Sequence, residues 1–414
     1  MEVNAALALL GGLSPAAFMR KHWQKQPLLV RQAWPGVQPP LGRAAMFALA
    51  GREGVESRLV QRLAELGAGP AVPAAEGAEG AEAAADRWSV RHGPLQRRAL
   101  PPLTRPGWTL LLQGLDLHVP AAHAMLRQFA FLPTARLDDL MMSWASPGGG
   151  VGPHLDSYDV FLLQVQGARR WQVGHVAGHA DAAGAAWQPG VPLKILRDFR
   201  PQHDWVLEPG DMLYLPPGWA HDGVAVGGDC MTCSVGFRAP ASQALAAELL
   251  QRMTDDDDED SADEPAPSSA PARRLYRDSG QAATLAPGAI PPALQAFARQ
   301  AVARLVGRVG ALERALGEVL SEPKPQVWFE PGPMLQPGQG LRLAAATRML
   351  YDERLVYING ESFRASGRDA RLMRRLADHG QLSAADLRLL SGGAATLVDD
   401  WRHSGWLTPE RGSA

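Results

Sequence analysis

Three residues of this chain have the types and spacing of a metal-binding set: His154, Asp156 and His221. His154 and Asp156 are one residue apart, so on an extended segment both side chains point to the same face, because strand side chains alternate. His221 adds a second imidazole from a later segment. Two imidazoles and one carboxylate on one face of an octahedron bind Fe(II) and leave three positions open for a cosubstrate and O2.

The segment before His221 has the pattern of a turn, a strand and a second turn. Glu-Pro-Gly-Asp at 208–211 predicts a tight turn, and Met-Leu-Tyr-Leu at 212–215 predicts a short buried strand. Pro-Pro-Gly at 216–218 ends that strand and redirects the chain before His221. Short apolar strands alternate with glycine and proline turns throughout 137–237, which predicts an all-β barrel rather than a parallel sheet.

The segments on either side of His154 indicate how the chain enters and leaves this position. The glycine-rich stretch 148–153 predicts a flexible approach to His154, and the apolar run 160–163 predicts another buried strand. That strand leads to two adjacent cations, Arg169 and Arg170. Because neighbouring residues of a strand face opposite ways, only one of them can point into the barrel.

The sequence around these residues resembles the JmjC-type 2-oxoglutarate oxygenases, and in particular the bacterial ribosomal oxygenases, which hydroxylate an arginine of the sixteenth large-subunit ribosomal protein. The stretches that carry the resemblance are 21–27, which is similar to the family's opening helix, and 138–141, 152–156, 158–161, 167–171, 216–221 and 234–240. The C-terminal third matches by layout more than by motif. The resemblance implies a double-stranded β-helix, the jelly-roll or cupin-like JmjC barrel, in a mainly β protein with added helices.

The resemblance also implies the cofactors and the residues that hold them. Fe(II) is expected on the three ligands named above, with 2-oxoglutarate as cosubstrate and O2 as oxidant. The family places its basic residue at the position of Arg169, and a guanidinium suits bidentate capture of the distal carboxylate of 2-oxoglutarate. A surface position fits Arg170 better. Ser143 and Ser234 are hydroxyl candidates for the same cosubstrate, and either could equally be a serine of the barrel wall.

For the protein substrate, the family's arginine pocket uses an acid, a methionine and a tyrosine, and the matching positions are Asp139, Met141 and Tyr158. Asp139 is expected to pair with the substrate guanidinium, and Tyr158 is expected to stack on it or flank it. The alternatives are a strand-edge carboxylate for Asp139 and core packing for Met141. The implied reaction is oxidative decarboxylation of 2-oxoglutarate coupled to side-chain hydroxylation, in which the protein orients the reactants and excludes water.

With 414 residues the chain is too long for one ordinary core, and three regions are predicted. Residues 1–240 are expected to form the JmjC catalytic domain with N-terminal helical elements. Within this region, the Ala/Gly/Glu-rich stretch 67–86 predicts a mobile surface insertion, because it contains too little apolar surface to hold a fold.

The remainder of the chain predicts two further regions. Residues 241–335 combine an acidic linker, with a charge block at 255–260, and a helical region that forms the dimer interface in the resembling family. This implies a homodimer. Residues 336–414 resemble a winged-helix domain, which would begin with a hairpin at 341–343 and 355–360 and continue with three short helices.

Composition argues against several classes of protein. A formal net charge of −2 provides no polycationic surface for nucleic acid, and no run of about 18 apolar residues is present to span a membrane. No basic segment typical of a secretory signal precedes the first apolar residues, so a cytoplasmic location is expected. Winged helices often bind DNA. DNA binding is nevertheless not expected here, because no interleaved aromatic residue or basic balance accompanies the arginines at 364, 368, 371, 374 and 375.

Two other pairs of residues have spacings known from functional sites. Cys230 and Cys233 have the spacing of a redox pair or of half a zinc site, but no second cysteine pair exists and the surrounding residues predict a strand. Inert barrel cysteines are therefore favoured. His175 and His179 have the helical spacing of zinc proteases, but no glutamate follows His175 and the neighbouring glycines and alanines predict a loop.

Alternatives to arginine hydroxylation stay open at this point. The same fold could carry a protein histidyl hydroxylase or a methyl-lysine demethylase, and Asp139 favours a cationic guanidinium over a neutral imidazole. A third possibility, from another class, is a non-catalytic cupin-like scaffold that only binds partners. The intact ligand set together with Arg169 argues against that scaffold.

Overall fold

An antiparallel sheet of nine strands, counted over the residues that the structure describes, forms the body of the first of two compact units, Met1–Ala239 and Pro240–Ala414. The structure is a computed structural model and describes residues 2–63, 87–175, 186–259, 275–277 and 288–410. The predicted insertion at 67–86, His179, and the acidic and proline-rich stretch after residue 259 lie outside the described residues.

The strands of the first unit are β1 (Leu28–Val30), β2 (Ser57–Leu63), β3 (Arg87–His92), β4 (Trp108–Leu112), β5 (Leu137–Ala145), β6 (Asp159–His175), β7 (His203–Leu207), β8 (Met212–Leu215) and β9 (Trp219–Phe237). Neighbouring strands follow the order β1-β8-β6-β9-β5-β4-β2-β3, and β7 also pairs with β6. The long strands β6 and β9 pair along most of their length, and they carry the residues of greatest chemical interest.

The apolar run at the start of β6 is explained by burial on both faces of the strand. Phe161 and Leu163 face the larger core, whereas Val160 and Leu162 face a smaller cluster that also contains Trp171. A strand covered on both faces needs apolar residues at successive positions rather than at alternate ones. The predicted buried strand at 160–163 is therefore an interior strand of the sheet, between β8 and β9.

Four short helices contribute residues to the larger core: α1 (Pro15–Lys21), α2 (Arg43–Leu49), α3 (Leu115–His118) and α4 (Pro120–Leu126). The Ser14 side chain caps α1 by accepting a hydrogen bond from the Ala17 amide at 3.2 Å. Fully buried Phe18 then anchors the helix edge-on against Tyr214, with 4.9 Å between ring centres. The opening helix thus ends where the predicted segment 21–27 begins, and that segment leads into β1 instead.

In its described residues, the second unit begins with three helices and continues as a small α/β region. Its elements are α5 (Ser242–Glu259), α6 (Pro292–Val306), α7 (Ala311–Ser321), β10 (Leu341–Leu343), β11 (Met349–Tyr351), β12 (Leu355–Ile358), β13 (Glu361–Arg364), α8 (Gly367–His379), β14 (Gln381–Leu382), α9 (Ala384–Leu387), α10 (Gly392–His403) and β15 (Leu407–Pro409). Its own core includes Ile358, Leu376 and Trp401.

Two predictions for this unit are wrong. β10 does not form a hairpin with β12: β10 pairs with β14 and β15, and β12 pairs with β11 and β13. The acidic block is not wholly a linker either, because α5 continues through residues 255–259. In the described part of the chain, no helix combines the length and the apolar character needed to cross a bilayer.

Candidate active site

His154, Asp156 and His221 converge at one end of β9. Their potential ligand atoms all lie within 4.8 Å of one another, and no other group of this kind occurs among the described residues. Nε2 of His221 is 3.5 Å from Oδ2 of Asp156, and the two imidazole centres are 4.2 Å apart. The predicted ligands therefore form one cluster of two imidazoles and one carboxylate.

Backbone pairing and two carbonyl groups set the orientation of both imidazoles. His154 and His221 exchange two backbone hydrogen bonds, each 3.0 Å long. Nδ1 of His154 is 2.8 Å from the Gly152 carbonyl oxygen, and Nδ1 of His221 is 3.0 Å from that of Trp219. A proton on each Nδ1 satisfies these carbonyls and leaves the Nε2 lone pairs available for a metal ion. Burial, reinforced by the nearby His154, lowers the pKa of His221 to about 4, so its imidazole is neutral at neutral pH.

The glycine-rich segment before His154 is closely packed rather than flexible. A Cβ on Gly149 would lie 2.4 Å from the Trp108 carbonyl oxygen, and one on Gly150 would lie 2.6 Å from that of Gly223. The Gly149 amide donates a 2.8 Å hydrogen bond to the Ser146 carbonyl. The sequence-based explanation was therefore wrong, because glycine is required here for close approach of backbones.

The adjacent arginines of β6 point to opposite sides. Arg170 is exposed and forms a bidentate ion pair with Asp204. Arg169 is only 4% exposed, and its Nη1 makes a long 3.4 Å hydrogen bond to the Gly223 carbonyl. Nε and Nη2 of Arg169 are buried with no hydrogen-bond partner among the described residues. Buried unsatisfied donors are costly, so this guanidinium has the character of an anion site.

Trp171 connects the arginine with the metal-binding cluster. Its ring lies on the same face of β6 as Arg169, with 5.7 Å from the guanidinium carbon to the ring centre. The same indole is 5.8 Å from the ring centre of His221. Gly223 makes room for it, because a Cβ there would lie 2.5 Å from the indole. Sequence reasoning did not assign Trp171 to the site, although its spacing from Arg169 placed it on the same strand face.

Both predicted serines are buried on neighbouring strands of the sheet. Ser143 on β5 is opposite Thr232, and its hydroxyl is 3.5 Å from the Thr232 carbonyl oxygen. Ser234 on β9 is opposite both Met141 and Leu162. Residues directly opposite in a sheet share a face. Ser234 therefore shares the face of Leu162, which contacts the cluster around Trp171.

The predicted substrate residues lie near one another, but the carboxylate of Asp139 already accepts hydrogen bonds from other groups of the chain. Its carboxylate accepts bonds from Gln113 Nε2 at 2.9 and 3.0 Å and from the Gly114 amide at 3.0 Å. Sequence reasoning missed these partners of Asp139 within the chain. Tyr158 lies near the metal-binding cluster, since Asp156 makes the largest contribution to raising the pKa of its phenol and burial adds to it.

Comparison with known families decides what kind of barrel this is. The JmjC domain family matches residues 124–245, a span that contains all three metal-ligand candidates. The chain carries a JmjC domain. Residues 310–408 match the ROXA-like winged helix, so the second unit contains a winged helix. The predicted fold class, a cupin-like JmjC barrel followed by a winged helix, is confirmed.

The JmjC domain and its flanks are similar to curated proteins. The matched part of this chain spans about half the length of each of them. The ribosomal protein uL16 3-hydroxylase of Escherichia coli is 37% identical over 240 residues, which are 57% of this chain and 56% of that protein. A probable ribosomal oxygenase of Haemophilus influenzae is 34% identical over 229 residues, 55% of this chain and 50% of that protein. The predicted resemblance to bacterial ribosomal oxygenases is confirmed.

A solved structure resembles the chain over nearly its whole length. The structure of YcfD, a ribosomal oxygenase from Escherichia coli, in complex with cobalt and 2-oxoglutarate has a TM-score of 0.74 and 28% sequence identity. The match covers 96% of this chain and 99% of that one. The likeness therefore extends beyond the JmjC domain into the second unit.

The two cysteines of the JmjC domain face opposite sides of β9, the strand that carries both. Cys230 packs with Ala145 and Ala225, whereas Cys233 belongs to the larger core. Burial raises the pKa of the Cys233 thiol, which disfavours the reactive thiolate. Both are free and buried, as expected of inert barrel cysteines.

Proposed function

We propose that the chain is an Fe(II)- and 2-oxoglutarate-dependent oxygenase that hydroxylates an arginine side chain of a large-subunit ribosomal protein. The observation that carries the oxygenase assignment is the buried Arg169 guanidinium, two of whose nitrogens have no hydrogen-bond partner among the described residues. It lies against the indole of Trp171, which also lies against the His221 imidazole. The names of the relatives, a uL16 3-hydroxylase and a probable ribosomal oxygenase, support the class of target.

The donor set fits the implied metal ion. His154, Asp156 and His221 would hold Fe(II) through two Nε2 atoms and one carboxylate, which is the set that suits this ion. Bound Fe(II) would supply O2 activation coupled to the decarboxylation of 2-oxoglutarate. The chain's own contribution is a pair of imidazoles with fixed tautomers, since the Gly152 and Trp219 carbonyls accept from Nδ1.

Arg169 would bind the distal carboxylate of 2-oxoglutarate. A guanidinium offers two parallel donors to a carboxylate, and Nε and Nη2 form such a pair on one edge. The indole of Trp171 would shield this ion pair from water and strengthen it. Ser143 and Ser234 are proposed to line the same compartment as hydroxyl partners of the cosubstrate, since both are buried.

The pocket for the substrate arginine is proposed to contain Asp139, Met141 and Tyr158. Negative charge supports a cationic side chain here, because Asp156, Asp138 and Asp139 all contribute to raising the pKa of Tyr158. Tyr158 would stay a neutral phenol and offer its ring face to the guanidinium. Asp139, whose oxygens already accept bonds from Gln113 and Gly114, would act mainly through its charge.

A second copy of the chain is proposed to cover α6. Within the described residues, no side chain of this helix is buried, although Leu294, Val302 and Val306 lie along it at helical spacing. Val309 and Leu312, just beyond its end, are also exposed. We further propose that the protein works in the cytoplasm, where ribosomal proteins are made, and that the winged helix does not bind DNA.

The test is intact-mass measurement of purified uL16 after incubation with the protein, Fe(II) and 2-oxoglutarate. A gain in mass of one oxygen atom, located on an arginine by fragmentation, is expected. An incubation with Asp156→Ala serves as the control and should leave the mass unchanged. An oxygen found on a histidine, a lost lysine methyl group, or an unchanged mass would contradict arginine hydroxylation.

A further inference from the structure

Arg58, on β2, shares a sheet face with the residues proposed to hold 2-oxoglutarate. It is opposite Leu111 on β4, and Leu111 is opposite Ser143 on β5. Residues directly opposite in a sheet share a face, so Arg58 and Ser143 lie on the same side. The next residue of β2, Leu59, belongs to the larger core on the other side. Alternation therefore directs Arg58 into the space above the Ser143 face, which we call the cosubstrate compartment.

The same sheet face leads to the buried cation of β6. Ser234 lies on this face, because its partner Met141 is two positions from Ser143 on β5. The face of Ser234 also carries Trp171, and the guanidinium carbon of Arg169 is 5.7 Å from the centre of that indole. The cosubstrate compartment therefore has one cation from β2 and another from β6.

These two cations differ in how an anion in solution can reach them. Arg169 is only 4% exposed, so an anion that binds it must first enter the cosubstrate compartment. Arg58 is half-buried, and solvent reaches its side chain. Within the part of the chain that the structure describes, no hydrogen bond or ion pair holds the Arg58 guanidinium. A cation without a direct partner attracts anions at a distance before any contact forms.

The carboxylates near Tyr158 would repel an entering anion. Together with burial, three of them raise the pKa of the Tyr158 phenol: Asp156, which has the largest effect, Asp138 and Asp139. Arg58 acts on the same phenol in the opposite direction. Negative potential in this region suits an arginine substrate, but 2-oxoglutarate is a dianion at neutral pH. A positive charge on the β2 side offsets that repulsion.

We propose that Arg58 guides the 2-oxoglutarate dianion into the cosubstrate compartment past the carboxylates around Tyr158. This inference rests on the proposed function, since it takes 2-oxoglutarate as the cosubstrate. Arg58 acts while the anion approaches, whereas Arg169 binds the anion after it has arrived. Loss of the Arg58 charge should therefore slow association of 2-oxoglutarate and leave its dissociation unchanged.

The experiment is stopped-flow tryptophan fluorescence of the full chain, loaded with Mn(II) and mixed with 2-oxoglutarate under nitrogen. Arg58→Gln should slow association roughly three- to fivefold at low ionic strength. Salt at about 1 M, where charges are screened beyond about 3 Å, should bring the wild type and Arg58→Gln to the same rate. Arg58→Lys keeps the charge without the planar guanidinium, and it should associate as fast as the wild type.

Arg91→Gln is the matched control, since it removes the same charge from the neighbouring strand β3. Arg91 is opposite Leu59, so it faces the other side of the sheet. Its association rate should equal that of the wild type. Equal slowing by Arg58→Gln and Arg91→Gln would show an effect of net charge alone and would overturn the proposal.

Three further results would also overturn the guiding role of Arg58. These are an unchanged association rate in Arg58→Gln, faster dissociation from Arg58→Gln, and slow association in Arg58→Lys. Faster dissociation would make Arg58 a direct ligand of the bound anion. The proposed function stands in each case if the wild type binds 2-oxoglutarate and hydroxylates uL16. Failure of the wild type to bind 2-oxoglutarate would overturn the proposed function, and this inference with it.

Discussion

The guanidinium of Arg169 lies over the indole of Trp171, two positions along the same strand, with 5.7 Å between the guanidinium carbon and the ring centre. The indole covers the cation on one side, and the Gly223 carbonyl reaches only Nη1. The remaining edge of the guanidinium is buried, and its donors have no partner in the part of the chain that the structure describes. This arrangement supports the proposal that Arg169 binds the distal carboxylate of 2-oxoglutarate.

Replacing Arg169 with Ala should raise the KM for 2-oxoglutarate. Loss of a buried charge-assisted pair costs about 2 kcal/mol or more, which corresponds to at least roughly a thirtyfold increase. Steady-state turnover at varied 2-oxoglutarate measures the change. Arg170→Ala is the control and should keep the wild-type KM, because its ion pair with Asp204 lies on the exposed face. Equal effects of the two substitutions would refute the assignment of Arg169.

Replacing Asp156 with Ala should abolish 2-oxoglutarate turnover and weaken binding of Mn(II), used as a probe for Fe(II). Asp156 supplies the single anionic ligand of the cluster, and the half-buried side chain is not part of a core. Paramagnetic resonance of Mn(II) reports binding, and thermal unfolding should show an unchanged fold. Asp204→Ala removes an exposed acid as the control. Wild-type turnover by Asp156→Ala would show that the metal site lies elsewhere.

Replacing Gly149 with Ala should destabilise the first unit. The added Cβ would lie 2.4 Å from the Trp108 carbonyl oxygen, and overpacking of this kind costs about 1–3 kcal/mol. Urea unfolding followed by tryptophan fluorescence measures the loss. Gly228→Ala is the control, since a Cβ added at Gly228 would have no atom within 4 Å. Identical unfolding midpoints for the two variants would show that the backbone before His154 can shift to accommodate the added Cβ without loss of stability.

Asp211 should make the stability of the first unit depend on acid pH. Burial alone would raise the pKa of its carboxyl, but hydrogen bonds from the Gln32 and Glu208 amides and from Arg31 outweigh it and hold the pKa below its usual value. A lowered pKa in the folded state stabilises the protein above the unfolded pKa of about 3.9. That stabilisation is lost as the pH falls through the folded pKa.

Comparison with Asp211→Asn tests this linkage. The difference in unfolding free energy between the wild type and Asp211→Asn should be largest above about pH 5 and should shrink below about pH 4. Chemical unfolding at a series of pH values gives the difference directly. A difference that is constant over this range would mean that the carboxylate charge of Asp211 contributes nothing.

Local patterns in the sequence were sufficient for the parts of the site that lie on regular strands. Strand alternation alone predicts that Arg169 and Arg170 face opposite sides of β6. The turn predicted at 208–211 marks the start of β8. A β-bulge of β5 at Asp138 and Asp139 could not be predicted, because it depends on the register between β5 and the distant strand β9. The bonds from Gln113 and Gly114 to Asp139 were missed for the same reason, since they join segments that only the fold brings together.

The winged-helix region shows the same limit. The apolar segments at β10 and β12 were recognisable as strands, but nothing local indicates that β10 pairs with β14 and β15.

Acidic residues at 255–259 predicted a solvated linker, yet the backbone hydrogen bonds of α5 extend through them. Composition describes how a segment interacts with water, whereas helix continuation depends on the apolar face established by the preceding turns.

The two imidazole ligands belong to one hydrogen-bonded pair of residues, since His154 and His221 exchange both backbone hydrogen bonds. The spacing of the imidazoles is therefore fixed by main-chain atoms, which side-chain substitutions in the surrounding core do not remove. Ion uptake then requires little loss of chain entropy, unlike the coupled folding of a zinc finger. We therefore expect a chelator to remove the bound ion while the protein stays folded.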